Sequence, residues 1–403
     1  MLNKNINNFF VILFSIIPIS IMAGPAVSLI NILFIDACFL VLIVYKKHYS
    51  FLKSDAIKYL LILYIYLLFN SLISIDQNIG LLRNFGFLRL IILFAAFNYF
   101  FKEKHFLKKV LITWTLIFSF ILVDIFIENF TGKNLVGFGE AYKDRIVSFF
   151  KDEPIVGGFI NSFYLIIIGF LFMNFRNKNF IFIFSIIFLI AIFATGERSN
   201  SIKALASLSI FYIFLKEYNF KKKLTLLISM SVILSIFILN SSFLKLRYLT
   251  QIKSHIYEDQ IYFKLYNSGF QVFKNHKIFG VGNKNYRVEA CGKKHLNSEK
   301  RNVYICNTHP HQVYFEILSE HGIVGSIIIL FVLYKLIFSK ILVIFKGQNY
   351  IQLGSLVYLI LTFTPLIPSG AFFSDYIISL FMINLSIFYC SNEKFNIFNF
   401  KKL

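Results

Sequence analysis

Long apolar runs, nearly free of charge and most of them close to 20 residues long, recur along the chain. A helix needs about 20 apolar residues to cross the hydrocarbon core of a bilayer. It is also one of the few structures that satisfies its own backbone donors and acceptors there. Twelve runs qualify as candidate spans: 8–23, 26–45, 57–75, 84–101, 107–128, 154–174, 179–195, 199–215, 223–240, 322–345, 350–368 and 371–390. Composition agrees, since 57% of residues are hydrophobic and only 15% are charged, against about 25% charged in a soluble chain. The expected fold class is an all-α polytopic membrane protein with about 12 transmembrane helices. The first run reads as a retained span, because no strong cleavage motif precedes Pro25.

Charge sets the expected orientation. Lys and Arg concentrate in cytoplasmic loops. The N-terminus, alternate loops and the C-terminal tail together hold 21 basic residues, and the intervening segments before residue 241 hold eight. Both termini are therefore expected on the cytoplasmic side. Residues 1–240 carry helices 1–9, residues 241–321 form one large periplasmic loop, and residues 322–403 carry helices 10–12. Within that loop, residues 241–310 hold twelve basic and four acidic residues. The net charge of +21 is thus a matter of topology and of this loop, and nucleic acid is not an expected partner. A basic outer loop attracts an anionic substrate.

Arginine sharpens that reading. Only eight of the 41 basic residues are Arg, and seven of these fall on the expected outer side: Arg83, Arg89, Arg145, Arg198, Arg247, Arg287 and Arg301. A guanidinium presents a planar, always-charged fork that matches phosphate oxygens, whereas Lys is a point charge. Phosphate or pyrophosphate is therefore expected outside. In the loop, Gln260–Lys274 reads as an amphipathic helix, and Phe279-Gly280-Val281-Gly282 as a tight turn that glycine permits. Cys291 and Cys306 would both lie in an oxidising compartment, where a disulfide is expected. Cys38 and Cys390 fall in or beside spans. His309, His311, His321 and Cys306 have poor spacing for zinc, so no metal or other cofactor is expected.

The loop ends in Thr308-His309-Pro310-His311-Gln312, followed by Glu316, Glu320, His321, Gly322 and Gly325. A His, then Gln, nine residues, Gly, two residues and Gly resembles the signature of the O-antigen ligase and polymerase superfamily, with His311, Gln312, Gly322 and Gly325 at its positions. Asn275 to Gly282 resembles the family's turn, with Lys277 where a Pro is usual. Thr195-Gly-Glu-Arg198-Ser resembles its short outer loop with a central Arg. Arg145-Ile-Val-Ser-Phe-Phe and Pro154 resemble another segment. The motifs cover about residues 140–335. One departure stands out: Gln260-Ile-Tyr-Phe-Lys264 has no Arg where family members often carry one, which leaves Arg247 or Lys264 for that role.

The resemblance implies a C-type glycosyltransferase-like membrane enzyme of lipopolysaccharide biosynthesis in the bacterial inner membrane. The donor would be an undecaprenyl-pyrophosphate-linked glycan, and the acceptor a hydroxyl of lipid A-core or of another glycan. Such a reaction needs a base for the attacking hydroxyl and positive charge at the departing pyrophosphate. His311 is the candidate base, with Glu320 to orient it or bind a sugar hydroxyl. Arg198, Arg247, Arg89 and Lys264 are the candidates for pyrophosphate. Gln312, Gly280, Gly282, Gly322 and Gly325 are read as structural. A ligase is the leading reading, and a polymerase joining lipid-linked repeat units is the alternative within the family. A flippase or transporter is more remote, because the ionisable residues gather at one face, with few at mid-membrane.

Overall fold

The computed structural model describes residues 4–139, 145–151, 153–257, 260–292 and 303–399. Arg301 lies outside them. Among the described residues the chain is helical and contains no strand. Ten helices come first: α1 (Lys4–Ser15), α2 (Ile17–Met22), α3 (Pro25–Lys46), α4 (Asp55–Leu72), α5 (Gln77–Phe100), α6 (Lys104–Thr131), α7 (Val156–Asn174), α8 (Lys178–Ala194), α9 (Arg198–Phe214) and α10 (Phe220–Leu239). After short turns comes a loop helix, Ile261–Asn275, where an amphipathic helix was expected. Helices Val313–Leu336, Tyr350–Thr362 and Asp375–Cys390 complete the bundle.

Eight described helical segments are long and apolar enough to cross a bilayer. Three more apolar helices are shorter: Lys178–Ala194, Tyr350–Thr362 and Asp375–Cys390. Local chemistry sets the ends. Ser54 opens α4 by accepting from the Ile57 amide at 3.2 Å, as an N-cap hydroxyl does. Gly132, in the left-handed region at φ 79°, closes α6. The most enclosed helix is α7, which crosses Tyr350–Thr362 backbone to backbone. A β-carbon at Gly169 would strike the Tyr350 carbonyl, and one at Gly354 the Leu165 carbonyl. Close approach of this kind is how helices pack where hydrophobicity no longer drives them together.

The tenth span differs from expectation. The helix begins at Val313, nine residues before the expected start, and breaks at Gly322, where φ is 62° and ψ −163°. The break frees backbone groups, and the segment 277–282 satisfies them. Val281 N donates to Ser319 O at 2.9 Å and Gly282 N to Glu320 O at 2.9 Å. In return, Ile323 N and Val324 N donate to Lys277 O and Ile278 O at 2.8 and 3.1 Å. Irregular backbone inside a membrane protein is tolerated where protein pairs it in this way. This contact explains Gly280 and Gly322, and the packing of α4 and the turn after it explains Gly282 and Gly325. A side chain at Gly280 would strike the Glu320 backbone, at Gly282 Ser74, at Gly322 the Ile278 carbonyl, and at Gly325 the Tyr66 hydroxyl. We expect Gly322→Val to cost about 2–5 kcal/mol, from backbone strain and overpacking together. The thermal midpoint of the purified protein should fall by several degrees; an unchanged midpoint would show that the break is not built on this glycine.

Candidate active site

Three separate stretches of chain bring arginines to one cavity. The first is the segment after α6. Two carboxylates near the end of α6 hold it: Glu128 accepts from the Val147 and Ser148 amides at 2.9 and 2.7 Å, and Asp124 accepts from Leu135 N at 2.9 Å and from the Ser148 hydroxyl. Arg145 leads this clamped stretch, and its Nη2 donates to Pro154 O at 2.9 Å. The second stretch is the turn between α8 and α9. Gly196, at φ 71°, reverses the chain so that Glu197, Arg198 and, one turn on, Lys203 face the cavity. Glu197 accepts from the Gly157 and Gly158 amides at 2.6 and 3.1 Å and from Asn200 Nδ2 at 2.7 Å, which ties this turn to the start of α7. The third stretch is the π-helical turn Leu246–Thr250. There Arg247 is fixed by Gly196 O, 2.9 Å from Nη2, and by Gln251 Oε1, 2.7 Å from Nη1.

His311 enters from the loop side. Gly269 on the loop helix lets Pro310 pack closely, since a β-carbon there would lie 2.8 Å from the proline ring. His311 itself sits at φ 56°, a left-handed conformation that costs a residue with a side chain about 1–3 kcal/mol. Two contacts hold it there. Ser369 N donates to His311 O at 2.8 Å, and Gln312 caps the following helix by accepting from the Tyr314 and Phe315 amides at 2.8 and 3.1 Å. The His309 ring lies beside it, centroids 4.0 Å apart. His309 Nε2 reaches Ser369 O at 3.2 Å and its Nδ1 lies 2.9 Å from the Thr308 hydroxyl. The carbonyl needs a donor and the hydroxyl can supply one, so His309 is the neutral tautomer protonated on Nε2.

The resulting cavity is about 290 Å³. Its wall carries Arg145, Arg198, Lys203, Arg247 and His311, with Tyr262 and Tyr376, and Glu197 is the sole carboxylate among the described lining residues. The electrostatics favour an anion. Burial, and after it the charges of Arg198 and Arg145, lowers the Arg247 pKa from its ordinary value. Burial raises Glu197, although Asn200, Arg145 and the two glycine amides oppose the rise. Burial also lowers His311 from the usual imidazole range, and burial with His311 beside it takes His309 down to about 3. Both rings are neutral at pH 7.

Arg198, Arg247 and His311, singled out in the sequence, therefore share one cavity. Three other candidates do not join them. Arg89 pairs instead with Asp375 at 2.9 Å, alongside Arg83 at 3.2 Å. Glu320 is fully buried on the helix Val313–Leu336, the motif helix, with the Tyr286 amide donating to its Oε1 at 3.4 Å. Its helical face points at the 283–286 turn and away from His311. Lys264 is exposed on the loop helix and does not line the cavity. Gln312 and the four glycines act on backbone geometry, as described above. The structure adds Arg145, Lys203, Tyr262, Tyr376 and His309 to the site. Arg145 had a visible signal in its place among the few outer arginines and in the segment it opens, and His309 stood in the motif beside His311.

Cys291 and Cys306 form a disulfide, with Cα atoms 4.5 Å apart. The chain leading into Cys306 is pinned as well: Ile305 N donates to Ser268 Oγ at 3.0 Å and Tyr286 Oη to Ile305 O at 3.2 Å. A crosslink spanning 15 residues is worth about 3 kcal/mol. Reduction, or Cys306→Ser, should therefore increase proteolysis of residues 286–311 and lower activity, because the bridge anchors the segment that leads to His311. Equal protease resistance with and without reductant would contradict this.

Together, the fold and the site define a multi-pass helical membrane protein with a cationic, histidine-bearing cavity where the loop meets the bundle. The family model described as O-antigen ligase matches residues 182–330, a stretch that includes Arg198, Arg247 and the whole His311–Gly325 motif. Over that stretch the chain is similar to the O-antigen ligase family. No curated protein gives a significant match. The similarity points to ligase or polymerase activity and, in general, to a lipid-linked glycan substrate.

Proposed function

We propose that this protein is an O-antigen ligase-like transferase of the inner membrane. It would move a polysaccharide from undecaprenyl pyrophosphate to a sugar hydroxyl of lipid A-core on the periplasmic face, with both of its termini cytoplasmic. The observation that carries the proposal is the convergence of three guanidinium groups and His311 on one cavity. The acceptor hydroxyl attacks the anomeric carbon, and its proton passes to His311. The bond from the anomeric carbon to the pyrophosphate oxygen breaks, and its electron pair leaves with the lipid pyrophosphate. Arg145, Arg198 and Arg247 neutralise the charge as it develops, in a site where few waters compete. Because the guanidinium groups supply that charge, transfer should persist in EDTA.

Two acids fall mid-span among the expected spans, Asp36 and Asp124. Asp124 closes the segment bearing Arg145, whereas Asp36 is buried in α3. The direct test is transfer in vitro from a lipid-pyrophosphate glycan by purified protein, with and without EDTA. Product formation supports the proposal, and translocation of the donor without new glycosidic bonds would refute it. Deleting the gene separates the two family activities: loss of a ligase leaves long chains on the lipid carrier, and loss of a polymerase leaves single units.

A further inference from the structure

A second cavity, of about 470 Å³, opens at the opposite end of the bundle. Its position follows from two helices. The start of α5 lies beside the loop, where Asn84 bonds Asn283, and the end of α6 carries the clamp that holds the Arg145 segment. The second cavity is built where α5 ends and α6 begins, on Phe100, Lys102 and Phe106. On α6 the residues that line the second cavity, Phe106 and Lys109, and the clamp residues Asp124 and Glu128 lie roughly 30 Å apart along the helix, about the thickness of a bilayer's hydrocarbon core. The glycan-transfer chemistry uses nothing at this end.

We propose that this cavity binds the phosphate-bearing headgroup of an anionic phospholipid. The charged wall is supplied by Lys46 at the end of α3, and by Lys102 and Lys109 around the start of α6, with Glu103 the only carboxylate among the described lining residues. The N-terminus of α6 has no side-chain cap, so its first amides and its dipole add to the attraction for an anion. Lys109 is already oriented, since its Nζ donates to Asn8 Oδ1 at 3.2 Å. The floor has the opposite character. Phe100 and Phe106 stack with centroids 5.5 Å apart, and Phe398 joins them from the C-terminal end of the chain.

A soluble phosphate would have no use for that floor, whereas a phospholipid brings a charged group and an apolar glycerol ester end together. The cavity also lies among α1, α3, α5 and α6, all part of candidate spans, so a lipid can reach it from within the leaflet. The absence of Arg from the wall distinguishes it from the reaction cavity. Lysines grip a headgroup as point charges, without demanding one phosphate geometry.

The test is retention of lipid by the purified full chain. Wild type and a Lys46→Gln/Lys102→Gln/Lys109→Gln variant are equilibrated with vesicles of phosphatidylcholine with or without phosphatidylglycerol, and bound lipid is read by native mass spectrometry. Wild type should retain phosphatidylglycerol over phosphatidylcholine, and the triple variant should lose that preference by roughly tenfold or more. Lysine-to-arginine changes at the same positions should keep it. Should the glutamine variant not fold, the wild-type comparison and the arginine variant still decide. Equal retention of the two lipids by wild type, or an unchanged preference in the glutamine variant, would overturn the proposal. So would displacement of bound phosphatidylglycerol by millimolar inorganic phosphate, which would mark a site for a soluble anion.

Discussion

Replacing His311 by Ala should lower the rate of glycan transfer by roughly 10²- to 10⁴-fold, the usual contribution of a positioned general base. Donor binding should change little, since the guanidinium groups that face the pyrophosphate are untouched. Single-turnover transfer by protein saturated with donor isolates the chemical step. The pH dependence carries independent information. Burial lowers the His311 pKa from 6.5, so the neutral imidazole that a base requires persists below the pH at which an ordinary histidine protonates. Transfer should therefore stay level as pH falls through 6.5 and decline only at more acid values, as His311 takes up its proton. The Ala variant should lose that acid limb and keep a low, flat rate. A variant with wild-type turnover, or a wild-type profile already halved at pH 6.5, would remove His311 from the reaction.

Much of this was legible in the sequence, and the boundary between what was and was not has a physical cause. Helices are local, so the runs of apolar residues located most of them to within a few positions, although α5 and the helix Val313–Leu336 begin seven and nine residues before their apolar runs. The loop helix and the paired glycine motifs were also visible, because helical periodicity and glycine's backbone freedom leave marks at short range. What the glycines do was not visible. Gly280 and Gly282 exist for a contact with Ser74 and with Glu320–His321, and nothing in the local sequence names those partners.

The same limit explains the candidates that went elsewhere. Spacing of four put Glu316 and Glu320 on one face of a helix, but spacing cannot say which way that face points. It turns inward, where Glu316 accepts from the Phe372 amide at 2.9 Å and Glu320 lies against the 283–286 turn. Arg89 looked like a free outer guanidinium because its partner, Asp375, lies 286 residues away. What holds Arg145 in place was not visible, because Asp124 and Glu128, which clamp its segment, lie back along α6. Arg198 and His311 were found because each stands in a motif whose neighbours are also needed: Gly196 and Glu197 for one, Pro310 and Gln312 for the other.

Truncating Arg247 should be the most damaging change among the cations. Arg247→Ala should reduce turnover by roughly 10²- to 10³-fold, the cost of removing one preorganised donor to a developing negative charge. Three facts about the side chain argue for so large an effect. It is held at both ends of its fork, by Gly196 O at 2.9 Å and Gln251 Oε1 at 2.7 Å, so no reorganisation is needed when charge develops. It is partly buried beside Arg198 and Arg145, whose charges disfavour its own. An arriving pyrophosphate relieves that repulsion, and the relief grows as the leaving group gains charge. A lysine cannot reproduce the arrangement, because it keeps the charge but loses the fork. Arg247→Lys should accordingly recover binding better than turnover, and the split between KM and kcat reads that difference. Arg89→Ala is the control on the same expected face. Its loss leaves Asp375 paired with Arg83 and removes nothing from the cavity wall, so turnover should stay within a few-fold of wild type. If Arg89→Ala were as crippling as Arg247→Ala, the departing pyrophosphate would have to sit against α5, and the cavity between α7, α9 and the motif helix would not be where the glycosidic bond is made.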